Sequence, residues 1–174
     1  MADPDPGSPT GVDTIPVNVV VDDEQTEITV DAPRWAELAA HVLRAEGARG
    51  ELTLTFVARD EIAALNAEHM GVDGPTDVLS FPLDDPSVAP LANEPLLLGD
   101  VVVCPAVAAE AAPEHAGTLD DELALLVVHG CLHVLGHDHA DPDETRVMRA
   151  RELELLEAHH WAGPAPADFR QEHA

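Results

Sequence analysis

Lysine and tyrosine are missing from this 174-residue chain, and aromatic residues make up only 3% of it. Every basic side chain is therefore an arginine, and 8 of them face 34 aspartates and glutamates, for a formal net charge of -26. A field of that sign repels polyanions at long range and attracts cations and basic partners. The chain also lacks the basic patch of a free-standing nucleic-acid binder and the aromatic platforms on which bases stack. DNA is set aside as a partner on these grounds.

Cysteine is scarce too. Cys104 and Cys131 form no C-x-x-C pair and no framework spacing, so two reduced, buried thiols are expected. The opening MADPDPGSPTGVD has neither the basic nor the apolar stretch of a secretory signal. No apolar run approaches the roughly 20 residues that a membrane span needs. The expectation is a cytoplasmic protein without membrane contact.

What is present fits a globular protein. The apolar fraction of 45% is ordinary, and the length suits one compact domain with its own core. Residues 17–21 and 26–30 read as short strands. Asp31 and Pro33 open a helix with Trp35, Leu38, Val42 and Leu43 on one stripe, ended by Gly47. Leu52, Leu54 and Phe56 alternate with Thr53 and Thr55, the period of a half-buried strand. Asp60 is read as the cap of a short helix carrying Ile62 and Leu65. Residues 78–81 and 98–103 are apolar strand candidates, and 105–112 a helix that stops at Pro113. Thr118 and Asp121 start a helix over 119–135 that is apolar on nearly every side and therefore buried. Asp141, Pro142 and Glu144 start the last helix, which ends before Gly163. The order implies an α+β fold, a small mixed β-sheet packed with helices. Residues 1–14 and 163–174 read as flexible ends around a single domain at 15–162.

The informative segment is HGCLHVLGHDH, residues 129–139. His129 and His133 are four apart on a helix, so their rings project from one face about a turn apart. Gly136 can leave the helix in a left-handed conformation, and the returning chain can bring His139 to the same point. Three imidazoles with an open fourth position are a standard zinc site. Two unpaired rings inside an apolar helix would each cost on the order of 1–3 kcal/mol, a cost that a shared ion removes. His129, His133 and His139 are thus the expected ligands of one Zn2+, and a metal-dependent hydrolase is the expected activity of the 15–162 domain. His137 is left over. Asp138 reads either as an acceptor for an imidazole N–H or as a turn residue. The spacing coincides with the metzincin pattern H-E-x-x-H-x-x-G-x-x-H, except that Gly130 stands where those peptidases carry their glutamate base. That disfavours peptide hydrolysis by the same route.

The segment resembles the H-G-x-L-H-L-x-G-Y-D-H signature of the YbeY family of bacterial rRNA maturation factors. Upstream, Leu65-Asn66 followed by residues 74–82 (GPTDVLSFP) is similar to that family's second motif, and Leu98-Gly99-Asp100-Val101 to its third. The resemblance implies a zincin-like fold and a zinc held by His129, His133 and His139. It also implies a single-strand-specific endoribonuclease acting in 16S rRNA 3′-end maturation and ribosome quality control. Two positions depart from the pattern: Met70 stands where many members carry an arginine, and His137 where the signature has tyrosine. The first removes a cation that could hold a phosphate.

An acidic chain has two routes to rRNA. The metal cleft can be locally positive inside an acidic shell, or the acidic surface can dock on a basic ribosomal protein that presents the RNA. A third account is that the composition has no bearing on partners. No general base is evident. Asp77 and Asp138 are the nearest carboxylates and neither is assigned, while Ser80 reads as a substrate contact or a bonded strand end. Two other functions remain open: a non-catalytic zinc-containing ribosome assembly factor, and a metzincin-like peptidase.

Overall fold

Residues 16–84 and 96–171 are described by a computed structural model of the chain, and the N-terminal segment expected to be flexible lies outside them. The described elements run β1 (Val17–Asp23), α1 (Ala32–Ala45), β2 (Gly50–Phe56), α2 (Arg59–Met70), β3 (Val78–Pro82) and β4 (Leu97–Val103). They continue with α3 (Pro105–Ala111), a 3-10 turn at Ala112–Glu114, α4 (Leu119–Val134) and α5 (Pro142–His159). The sheet has the order β1-β2-β4-β3. β1, β2 and β4 are parallel, and β3 closes one edge antiparallel to β4. The architecture is the expected α+β fold with a small mixed sheet.

Alternation sends the two faces of β4 to different cores. Val101 and Val103 join a main core with β2, α1, α4 and α5, while Val102 turns to a smaller one with Ile62, Leu79 and Cys104. α4 lies in the middle of the main core. From Glu122 to Leu132 each of its residues is buried, because α1, α5 and the β3–β4 edge all pack on it. This is why the helix is apolar all round. Cys104 and Cys131 are both buried free thiols, and burial pushes the Cys131 thiol up to about 12.

The helix starts follow the caps read from the sequence. The Thr118 hydroxyl accepts from the Asp121 N–H at 3.1 Å, and the Asp141 carboxylate accepts from the Glu144 N–H at 2.8 Å. Such caps are worth about 1 kcal/mol each.

Three expectations are corrected. Residues 26–30 are not a strand. The buried Gln25 amide donates to the Ile28 carbonyl at 2.7 Å and accepts from the Ile28 N–H at 3.0 Å, so one side chain takes the place of a ladder partner. Asp60 lies in the first turn of α2 rather than at its cap, which is Ala58. Residues 163–171, read as part of a flexible tail, pack back on the body. Phe169 meets Trp161 edge to face with centroids 4.8 Å apart, and the Arg170 N–H donates to the His115 carbonyl at 3.1 Å. The proline-rich segment carries one aromatic anchor, and backbone and Gln171 hydrogen bonds hold it beside that anchor.

Candidate metal centre

His129 and His133 are presented by successive turns of α4, His129 buried and His133 half-buried. The chain leaves the helix at Gly136 with φ 103°, a conformation that favours glycine, and the exposed His139 returns toward the other two rings. Ring centroids are 4.5 Å apart for His129 and His133, 4.8 Å for His133 and His139, and 5.5 Å for His129 and His139. One nitrogen from each ring lies within 4.8 Å of the other two. Metal–nitrogen bonds of about 2.0–2.1 Å in tetrahedral geometry need nitrogens about 3.3 Å apart. Small ring rotations close that difference, so the donor set fits one divalent ion.

The protonation state suits the same role. Burial, then the neighbouring His133 and His139 and the Arg149 charge, hold His129 down at about 3. Burial, followed by His139, lowers His133 as well, with Asp138 acting in the opposite direction. Both rings are therefore neutral at physiological pH and have a lone pair to offer. Which nitrogen offers it is set by Glu152 on α5. Its carboxylate Oε2 is 2.5 Å from His129 Nδ1 and its side chain is 1% exposed. A neutral His129 donates Nδ1–H to that carboxylate, which leaves Nε2 as the lone-pair nitrogen. This carboxylate–histidine arrangement is the one that orients metal-binding imidazoles. The other carboxylate oxygen accepts from the Gln171 amide at 3.1 Å.

Asp138 does not take that part; its Oδ1 accepts from the His139 backbone N–H at 2.7 Å and shapes the turn. His137 points away to Glu46, which also holds Arg151 at 2.7 Å. Asp77 is buried, and its Oδ1 accepts from the Thr76 hydroxyl at 3.4 Å. Burial raises its pKa, and its charge is felt by Glu122, whose carboxylate meets the His115 ring at 3.4 Å. The Ser80 hydroxyl donates to the Gly130 carbonyl at 3.3 Å, so it is bonded to backbone, though from the middle of β3 rather than its end. Met70 closes α2 with its side chain 47% exposed, so no cation is supplied from there.

Gly130 has a packing reason. A Cβ there would sit 2.6 Å from Val101 Cγ1 and 3.3 Å from the Ser80 hydroxyl. The position faces the sheet, so a longer side chain there would overpack against Val101. A second group of donor side chains, Asp120, Asp121 and His160, is already satisfied. Arg34 binds Asp120 through both nitrogens, and Asp121 accepts from Trp161 and pairs with His160.

The sequence carried no sign of Glu152. It lies 23 residues from His129, and only the crossing of α5 over α4 brings it there.

Comparison with known proteins identifies the family. The family model described as Endoribonuclease YbeY matches residues 20–160. A protein of that name from Salinispora tropica is 46% identical over 136 residues, 73% of this chain and 87% of its own length. Another from Acidothermus cellulolyticus is 46% identical over 144 residues, 77% of this chain and 87% of its own. Among solved structures, the solution structure of TM1509 from Thermotoga maritima matches with a TM-score of 0.54 and 26% identity. That alignment covers 83% of this chain and 91% of the other. It agrees with the zincin-like architecture that the motifs implied. With a family match across most of the chain and near-half identity to relatives of similar length, the chain belongs to the YbeY family.

Proposed function

We propose that this chain is a zinc-dependent endoribonuclease that cuts single-stranded RNA during maturation of the 16S rRNA 3′ end, in the cytoplasm. His129, His133 and His139 hold the ion. The observation that carries the reading is the convergence of those three rings, with His129 fixed from behind by Glu152. The family's name supplies the reaction class.

When bound, such an ion supplies Lewis acidity toward a phosphoryl oxygen and lowers the pKa of water in its shell. The chain's own residues do the rest. Glu152 keeps His129 in one tautomer and one orientation, and Gly136 sets the return that brings His139 in. Gly130 offers no base, and the carboxylates of Asp77 and Asp138 accept from the Thr76 hydroxyl and the His139 N–H, so neither is assigned that role. The same absence of a base on α4 weighs against the metzincin-like peptidase. The acidic surface docks on basic ribosomal proteins, which present the RNA end at high effective concentration.

The test couples metal analysis to cleavage assays on rRNA precursors and peptide pools. Wild-type protein is expected to carry about one zinc per chain, to cut RNA and not peptides, and to lose activity to a chelator. The triple alanine variant of the three histidines is expected to carry none. Metal retained by that variant, or RNA cleavage indifferent to chelation, overturns the proposal. Zinc without any turnover favours the non-catalytic assembly factor. For the docking, affinity for a ribosomal particle should exceed that for naked RNA at matched salt, and equal affinities remove it.

A further inference from the structure

Eight arginines must supply every fixed cation of this chain, and several are committed to carboxylates. Arg34 is bound to Asp120, Arg59 to Glu110, and Arg151 to Glu46. Arg146 and Arg149 differ in placement. They stand three apart on α5, a spacing that puts both on one face about 5–6 Å apart at Cβ. That face forms one wall of an open cleft of about 740 Å³, whose lining also includes His139, Thr145 and Gln171. The cleft therefore begins at a proposed metal ligand and runs along two guanidinium groups. Arg149 is exposed and makes no ion pair among the described residues, and its charge reaches His129. Arg146 has only an exposed pair with Asp143 at 2.9 Å, 71% and 83% exposed on the two sides. Such pairs contribute little and exchange readily for a better anion. Asp141, the remaining carboxylate on the wall, is occupied in capping the helix at 2.8 Å.

We infer that Arg146 and Arg149 seat the backbone phosphates of single-stranded RNA next to the bond presented to the three histidines. The inference rests on the ribonuclease reading and names the substrate contact of the same site. A guanidinium offers a phosphate two parallel N–H donors, and in a chain this acidic a pair of them beside the centre is the local exception that RNA needs. Gln171 borders the same cleft and is held to α5, donating to the Arg149 carbonyl at 2.7 Å.

The test reads RNA binding by the metal-free protein, so it does not depend on turnover. A short labelled single-stranded RNA is titrated by anisotropy from about 50 to 200 mM salt, where each phosphate contact to a single strand contributes a log–log slope of about -0.7. Arg149→Gln is expected to reduce the slope by about 0.7, and R146Q/R149Q by about 1.4. Glutamine is a good helix former, so these exposed positions keep the fold. Arg44→Gln, an equal charge change on α1 outside the cleft, is expected to leave the slope alone. An unchanged slope in the double variant, an equal loss in R44Q, or no salt-sensitive binding by the wild type overturns the inference. Cleavage by zinc-loaded wild type is scored separately. Cleavage with the slope unaltered removes the cleft and keeps the ribonuclease, whereas the expected slopes without cleavage do the reverse.

Discussion

Glu152→Ala separates a carboxylate that merely fills space from one that sets the metal ligand. The side chain is 1% exposed, with one oxygen 2.5 Å from His129 Nδ1 and the other 3.1 Å from the Gln171 amide. Truncation leaves the Nδ1–H of a ring that is itself only 7% exposed without this acceptor. An unmet buried donor costs about 1–3 kcal/mol, so the metal-free protein should unfold at lower urea by that amount. The ring also loses the contact that fixes its tautomer. Removing such a partner typically lowers metal affinity about 10- to 100-fold, which is about 1.4–2.7 kcal/mol of binding. Glu152→Gln keeps the shape and an acceptor oxygen but exchanges a charge-assisted bond for a neutral one, so it should fall between wild type and alanine. Competition against a chromophoric zinc chelator near neutral pH measures the affinities, and urea titration of the stripped proteins measures the stabilities. An alanine variant that binds zinc within twofold of wild type refutes the reasoning, whatever its stability.

Gly130→Ala should destabilise the protein although alanine is the better helix former. Overpacking at 2.6 Å from Val101 costs about 1–3 kcal/mol against a propensity gain of about 1, and a urea midpoint at or above the wild-type value contradicts the packing. Glu122→Gln tests the buried carboxylate that faces the half-buried His115 ring. Burial raises the Glu122 pKa from 4.5 in the folded chain, so the native state holds its proton to higher pH than the unfolded state does. That contribution to stability is present at low pH and is lost as pH rises from about 4.5 through the elevated folded value. The glutamine variant should therefore gain stability relative to wild type across that window, and a difference that stays flat or falls with pH counts against it.

What was legible in the sequence is what depends on neighbours along the chain. The histidine spacing, the left-handed exit at Gly136 and the caps Thr118 and Asp141 are all settled within a few residues. They came out as read. Residues 26–30 had the composition of a strand, but a strand needs a partner edge, and Gln25 satisfied the backbone first. Glu152, Gln171 and the two cleft arginines were illegible for a related reason. Their roles exist only once α5 crosses α4 and the C-terminal residues return to the body, and no local pattern encodes that crossing.

Gly130 joins the two kinds of information. Along the sequence it reads as a defect, the one position that spoils a peptidase motif. In the fold it has a packing reason, because the same helix turns its histidines toward His139 and its next residue to Val101, where a Cβ would overpack. A glutamate restored at this position would start against the Val101 side chain, which would have to give way before any carboxylate could be placed. Glycine at 130 is therefore explained by one close packing contact, without reference to catalysis. Chemistry at this centre has to take its proton acceptor from outside α4 or from the substrate itself.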